Sequence, residues 1–111
     1  MIRHSEPLKI APDHPALAGH FPGFPIVPGV VLLDEILYAI ERSQSAAHAS
    51  PPWQIGAVKF HHIARPGDIL ALSFEWPADG VVHFEVHHSG TLIVSGNARR
   101  SARIRAVAGA R

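Results

Sequence analysis

Residues 28–42 read PGVVLLDEILYAIER and predict one buried helix. Proline suits the first helical turn because its missing N–H would have no partner within the helix there. Apolar residues at helical spacing form one stripe along this stretch: Val30, Leu33, Ile36, Leu37 and Ile40. Val31 and Leu32 extend the apolar surface round most of the first two turns, as in a helix that other elements cover. We therefore expect the helix to begin at Gly29 and to end between residues 42 and 45.

The sequence after this helix has the alternation that is typical of β-strands. Apolar and polar residues alternate in four runs: 58–62, 70–76, 82–87 and 91–96. Turn signals lie between these runs: Arg-Pro-Gly-Asp at 65–68, Asp-Gly at 79–80 and Ser-Gly at 89–90. Before the helix, a short strand is expected within residues 2–10. One helix and several antiparallel strands with a single apolar face predict an α+β fold of two layers, in which the later strands form a meander.

Length and composition fit a single domain and exclude several classes of protein. The chain has 111 residues, of which 47% are apolar and 17% are charged, so it can bury a core and is neither disordered nor a coiled coil. A net charge of +1 does not suggest a nucleic acid partner, and the lack of cysteine excludes disulfides and thiolate chemistry. No apolar run approaches the roughly 20 residues of a membrane span, and no signal peptide is recognised. We expect one soluble, cytoplasmic domain over residues 1–111, with no membrane partner.

Three residues near the helix start are candidates for chemistry. Asp34 lies beside the apolar stripe, where a carboxylate is costly unless it has a partner or a function. The alternative interpretations are that Asp34 borders solvent or that it binds a nearby backbone amide. His20 lies in the proline-rich, apolar segment 12–28, and histidine is the usual general base near neutral pH, although a lone histidine is more often structural. Gly29 offers the unpaired N–H donors of a helix start, which can stabilise an oxyanion. Together the three would suit proton abstraction next to a carbonyl.

Residues 14–34 read HPALAGHFPGFPIVPGVVLLD and resemble the signature of the 3-hydroxyacyl-[acyl-carrier-protein] dehydratases of the hotdog superfamily. That signature is GHFPG-x-P-x-x-PGV, with an acidic residue fourteen positions after the histidine. A weaker match follows in Val-Lys-Phe at 58–60 and Pro-Gly-Asp at 66–68, where the family has a strand and a turn. The resemblance covers roughly residues 10–104. It implies a hotdog fold, in which a curved antiparallel sheet wraps around a long central helix.

The resemblance also implies an active site that two chains share. His20 corresponds to the catalytic base, Asp34 to the catalytic acid from the neighbouring subunit, and Gly29 to the glycine whose amide binds the thioester carbonyl. Phe21 and Gly23 of the same loop are expected to bind substrate. The implied reaction is a β-elimination of water from a 3-hydroxyacyl thioester, and it needs a protonated Asp34, which burial would favour. The implied partners are an acyl carrier protein or a coenzyme A thioester and a second copy of the chain, in a homodimer or an oligomer of dimers. No metal and no organic cofactor is implied.

Two departures from the signature bear on the pathway and leave other functions open. Asp34 stands where stand-alone dehydratases commonly have Glu, and Tyr38 stands where they have Gln one turn later. A specialised pathway, such as polyene or polyketide synthesis, is therefore as strong an expectation as fatty-acid synthesis. The same scaffold also serves hotdog thioesterases, which hydrolyse the thioester, and a subunit that binds acyl groups without catalysis.

The remaining histidines and arginines carry weaker signals. His62, His83 and His87 could form a metal site only if strand pairing brought them together, so surface or core positions are the favoured interpretation. No acidic residue follows Glu85, whereas five arginines do: Arg99, Arg100, Arg103, Arg105 and Arg111. They predict either a charged edge strand or a surface that attracts an acidic carrier protein.

Overall fold

The computed structural model describes residues 3–10, 26–43 and 53–100. These ranges contain one α-helix and five β-strands: β1 (His4–Lys9), α1 (Gly29–Arg42), β2 (Trp53–Phe60), β3 (Ile69–Ala78), β4 (Val81–His88) and β5 (Thr91–Arg100). The predicted helix start at Gly29 is confirmed, and the helix ends at the near limit of the expected range. Within the described ranges, no helix has the length and apolarity that crossing a membrane requires.

The five described strands form one antiparallel sheet in the order β1-β3-β4-β5-β2. Consecutive hairpins join β3, β4 and β5, so the predicted meander is confirmed for these three strands. The prediction is wrong for β2, which pairs with β5 at the far edge of the sheet rather than with β3, its successor in sequence. Alternation identifies a strand and its apolar face, but it does not identify the neighbouring strand. In this fold β3 already has β1 and β4 on its two sides.

The two hairpins turn where the sequence indicates. Ser89 and Gly90 have φ angles of 50° and 84°, which is the left-handed conformation that a two-residue hairpin needs at both central positions. Gly80 has a φ of 78° at the turn from β3 to β4. The Arg100 N–H donates to the Gly80 carbonyl oxygen at 2.9 Å, and this bond ties the turn to the end of β5.

The core lies between α1 and the inner face of the sheet. Alternate residues of β3 and β4 are almost fully buried on that face: Leu70, Leu72, Phe74, Val82, Phe84 and Val86. The helix contributes the buried side chains of Leu32, Ile36, Leu37, Ala39 and Ile40. One helix against one antiparallel sheet is the predicted α+β class, and its hotdog architecture is confirmed.

Val30 does not belong to the buried face of α1, contrary to the predicted apolar stripe. Its side chain is 75% exposed. The buried face is centred near Ile36, and at about 100° per residue Val30 lies about 120° round the helix from Ile36. Asp34 and Tyr38 follow Val30 at intervals of four residues and are also exposed. We call the surface formed by Val30, Asp34 and Tyr38 the open face, because no other described residues bury it.

Candidate active site

At the start of α1, no carbonyl of the described residues accepts the N–H groups of Gly29 and Val30. Pro28 precedes the helix, and its carbonyl oxygen accepts the N–H groups of Val31 and Leu32 at 3.0 Å each. The N–H groups of Gly29 and Val30 come earlier in the chain and have no carbonyl within the helix to bind. The first turn has no acidic residue and no side-chain cap, so nothing in that turn offsets the positive end of the helix dipole. An oxygen that gains negative charge would be stabilised at this point.

Phe60, the last residue of β2, lies against the helix start. A Cβ atom added to Gly29 would be 3.0 to 3.3 Å from three atoms of the Phe60 ring, so glycine allows a close approach that a larger residue would hinder. Phe60 belongs to the weak Val-Lys-Phe match and was not among the predicted site residues. The contact with Gly29 depends on the position of β2 beside β5, which alternation along one strand cannot show.

Exposed apolar side chains lie on the segments that meet at the helix start. Val30 is 75% exposed, Phe60 is 50% exposed and Ile63 is 49% exposed. The Val27 N–H donates to the Ala64 carbonyl oxygen at 2.8 Å, so the segment that holds Ile63 runs beside the segment that leads into α1. Exposed apolar groups that cluster in this way are typical of a surface that binds a ligand or another chain.

Asp34 lies on the open face, five residues beyond Gly29, which is about 7.5 Å along the helix axis. The sequence prediction placed Asp34 beside an apolar stripe and expected its burial. In the single chain Asp34 is exposed, because the stripe that packs on the sheet lies on the other side of the helix. No ion pair or side-chain hydrogen bond joins the Asp34 carboxylate to another described residue. The carboxylate is therefore available to a ligand or to a second chain.

Three of the five predicted site residues lie outside the described residues. These are His20, Phe21 and Gly23, all within residues 11–25. Their roles stay predictions, as do the distances that would join His20 to Gly29 and Asp34. The described part of the site consists of the helix start, the Phe60 ring and the open face.

The structure does not bring the three singled-out strand histidines together as a metal site. His62 Nδ1 lies 3.1 Å from the Leu92 carbonyl oxygen, and His87 Nε2 lies 4.0 Å from a Glu85 carboxylate oxygen. His83 faces the outer side of the sheet, opposite Glu75 on β3. Within residues 3–10, 26–43 and 53–100, no three side chains of His, Asp or Glu form a group that could hold a metal ion.

The arginine-rich end of the chain is only partly available as a charged surface. Arg99 is exposed, whereas the Arg100 side chain is 22% exposed and lies 3.6 Å from the Asp79 carboxylate. The Arg100 guanidinium also lies over the Trp76 ring, 6.0 Å from its centroid. Arg100 therefore has structural contacts, and the other arginines of the predicted strip lie beyond the described residues.

One family of known proteins matches most of the chain. The sequence model of one family, described as ApeI-like (ApeI dehydratase), matches residues 3–97. The chain belongs to the ApeI-like dehydratase family. The recognition that rested on the GHFPG signature is thereby confirmed. Gly29 and Asp34 both lie within the matched range.

Several curated relatives of the chain are bacterial dehydratases, and the alignments cover part of each. The 3-hydroxyacyl-[acyl-carrier-protein] dehydratase FabZ of Lactiplantibacillus plantarum is 41% identical over 59 residues, which are 49% of this chain and 40% of that protein. FabZ of Pediococcus pentosaceus is 36% identical over 62 residues, 51% of this chain and 42% of the relative. The matched stretch thus spans about two fifths of these relatives.

Solved structures resemble the chain over most of its length. The dehydratase heterocomplex ApeI:P from Xenorhabdus doucetiae has a chain with a TM-score of 0.70 and 25% identity, covering 87% of this chain and 85% of that one. The fluoroacetyl-CoA thioesterase FlK has a TM-score of 0.65 with 18% identity, over 96% of this chain and 93% of that one. At that identity the likeness to FlK concerns the fold alone.

Proposed function

We propose that this protein removes water from a 3-hydroxyacyl thioester, carried by an acyl carrier protein, and releases the trans-2-enoyl thioester. The observation that carries the proposal is the arrangement of α1, which begins at Gly29 with no side-chain cap and exposes the Asp34 carboxylate on the open face, where a second chain can use it. Membership of the ApeI-like dehydratase family and the FabZ relatives support the same reaction.

In the proposed mechanism each group at the site has one task. His20 removes a proton from C2 of the substrate, and the electron pair moves toward the thioester carbonyl. The N–H groups at the start of α1, that of Gly29 first, stabilise the negative charge on that oxygen. Asp34 gives its proton to the hydroxyl at C3, which leaves as water as the double bond forms between C2 and C3. The proton taken by His20 is then available to restore Asp34, so the cycle needs no cofactor.

The proposed site is complete only when two chains meet. Asp34 lies on a face that the described residues leave exposed, and β2 is an edge strand of the sheet. The exposed side chains of Val30, Phe60 and Ile63 add apolar surface at the helix start. We propose a homodimer in which His20 of one chain faces Asp34 of the other, acting in the cytoplasm on a carrier-bound substrate. Pairing with a different hotdog chain is the other outcome that a measurement of oligomeric state would show.

Product analysis tests this function and separates it from hydrolysis. The protein is incubated with 3-hydroxyacyl thioesters of an acyl carrier protein, and both the acyl chain and free thiol are measured. We expect an enoyl thioester and no free thiol, with turnover lost in Asp34→Asn and in His20→Ala. Glu35→Gln is the matched control, because it changes the neighbouring carboxylate on a different side of the helix, and it should retain turnover. Free acid with free thiol would indicate a thioesterase, and binding without turnover would indicate an acyl-binding subunit.

A further inference from the structure

Residues 61–68 connect β2 to β3 and pass the start of α1. Because β5 and β4 lie between β2 and β3, this connection crosses one end of the sheet. The His61 N–H donates to the Ile93 carbonyl oxygen on β5 at 2.7 Å, and the Gly67 N–H donates to the Ile10 carbonyl oxygen, just after β1, at 2.8 Å. We call residues 61–68 the crossing segment, and both of its ends are thus tied to the sheet.

The middle of the crossing segment binds the residues that lead into α1. The Val27 N–H donates to the Ala64 carbonyl oxygen at 2.8 Å, and the side chains of both residues are buried in the core. Pro28 follows Val27 with a φ of −59°, and proline is stiff and has no N–H. The bond from Val27 is therefore the last that a backbone N–H can donate before Gly29. It sets where the Gly29 N–H lies relative to the rest of the fold.

The Asp68 carboxylate binds the same peptide group from its other side. The Arg65 N–H donates to Asp68 Oδ2 at 3.0 Å, and the Asp68 N–H donates back to the Arg65 carbonyl oxygen at 3.0 Å. The Ala64 carbonyl and the Arg65 N–H belong to one planar peptide unit. The carboxylate therefore fixes the plane whose oxygen holds Val27.

The charge of the carboxylate strengthens this arrangement. A hydrogen bond to an ionised acceptor is stronger than a neutral one, and it polarises the peptide so that its carbonyl oxygen accepts more strongly. An aspartate that closes a turn on a backbone N–H is common and by itself structural. At Asp68 the bound N–H belongs to the one peptide that also holds the residues before α1, so the turn is linked to the helix start.

We infer that Asp68 is a positioning residue of the proposed site: through the Ala64–Arg65 peptide and Val27, it holds the Gly29 N–H where that group meets the thioester carbonyl oxygen. The inference rests on the proposed dehydration, because it takes the Gly29 N–H as an oxyanion donor. All of its contacts lie within one chain, so it does not depend on how a second chain places Asp34. Negative charge grows on the carbonyl oxygen in the transition state, so a misplaced donor should lower kcat and change KM little.

The first measurement is kcat and KM for dehydration of a carrier-bound 3-hydroxyacyl substrate. Asp68→Ala removes the acceptor and should lower kcat by about ten-fold, since a displaced donor loses part of the roughly 100- to 1,000-fold that its removal costs. KM should stay within about two-fold of the wild-type value. Asp68→Asn keeps an oxygen that accepts the Arg65 N–H, and it should hold kcat within about three-fold of the wild type.

Asp79→Ala is the matched control. Asp79 also lies in a turn that contains glycine, at the opposite end of β3 from Asp68, and its carboxylate lies 3.6 Å from Arg100 Nη2. This substitution should leave both kcat and KM unchanged. Urea denaturation of each variant identifies the conditions in which all of them are folded, and the kinetics are compared there.

The second measurement is amide hydrogen exchange followed by NMR, which needs no substrate. In Asp68→Ala the Val27 amide should exchange about ten-fold faster than in the wild type, because the peptide that accepts its hydrogen bond is no longer fixed. The His61 amide, at the other end of the crossing segment, should keep its rate. In Asp79→Ala neither rate should change.

Several results would overturn the inference. If the wild type dehydrates the substrate and Asp68→Ala keeps the same kcat, the inference is wrong and the proposed function stands. An unchanged exchange rate at Val27 in Asp68→Ala would show that the carboxylate has no influence on the helix start. Equal losses of kcat in Asp68→Asn and Asp68→Ala would contradict the hydrogen-bonded route. If the wild type dehydrates no 3-hydroxyacyl substrate, the proposed function fails and the inference fails with it.

Discussion

Replacing Gly29 by alanine tests the close approach between the helix start and β2. The added Cβ would lie 3.0 Å from Cζ of Phe60 and 3.2 to 3.3 Å from two neighbouring ring carbons. Contacts this short require a shift of a few tenths of an ångström. The Phe60 ring can make that shift, because it is half exposed and stands at the end of an edge strand. The ring would then move relative to the N–H groups at Gly29.

The substitution should affect activity far more than stability. Alanine is a better helix former than glycine by up to about 1 kcal/mol, which offsets the cost of moving a half-exposed ring. We therefore expect the free energy of unfolding to stay within about 1 kcal/mol of the wild type. Removing an oxyanion donor costs about 100- to 1,000-fold in kcat. Here the donor remains but its surroundings are crowded, so we expect kcat/KM for dehydration to fall by roughly ten- to a hundred-fold.

A double-mutant cycle identifies the Phe60 ring as the cause. Phe60→Ala removes the atoms that the new Cβ would meet, so Gly29→Ala should lose less activity in the Phe60→Ala background than in the wild type. Gly90→Ala is the control, because no atom lies within 4 Å of its added Cβ while its φ of 84° strains alanine. It should lower stability by about 1 kcal/mol and leave kcat/KM unchanged.

Two results would refute the reasoning about Gly29. Full activity in the Gly29→Ala variant would show that the close packing of Phe60 on the helix start has no role in the reaction. Equal losses from Gly29→Ala in the presence and absence of the Phe60 ring would show that the damage does not pass through the ring. Activity is followed as enoyl thioester formed from a carrier-bound substrate, and stability by urea denaturation.

Three further predictions address packing, a polar contact and the shared site. Gly96→Ala should lower the free energy of unfolding by about 1 to 3 kcal/mol in urea denaturation, because the added Cβ would lie 2.8 Å from a backbone oxygen of β2. Stability equal to that of the wild type would contradict the register in which β2 pairs with β5. Trp53→Phe should lower the free energy of unfolding by about 1 kcal/mol, since it removes the 2.6 Å hydrogen bond from the indole N–H to Glu41. An unchanged urea midpoint would show that this bond contributes nothing to stability. Mixing inactive His20→Ala and Asp34→Asn proteins should restore part of the activity through mixed dimers, whereas no recovery despite proven subunit exchange would place the whole site in one chain.

Much of the fold could be predicted because local patterns determine it. The helix start at Gly29 follows from a proline that suits a first turn, and the turn at Ser89 and Gly90 follows from the backbone needs of a two-residue hairpin. Both features depend on neighbours in sequence. The position of β2 at the far edge of the sheet was not predictable in this way, because it depends on competition among strands for the same edges.

The sequence identified residues of the candidate site, but it did not show how exposed they are or which residues they contact. The motif identified Gly29 and Asp34, and the structure places both on the same helix. The exposure of Val30 was missed, because a helix that is apolar most of the way round has no single stripe to identify its buried face. The contact of Phe60 with Gly29 was missed too, since it joins residues that are far apart in sequence and needs the β2–β5 pairing.

The most direct test of the central claim is the intact mass of a carrier-bound 3-hydroxyacyl chain before and after incubation with the protein. The mass of the acyl carrier should fall by one water as the enoyl thioester forms, and Asp34→Asn should abolish this loss. An unchanged mass with the wild-type protein, or release of the acyl group from the carrier, would contradict the account.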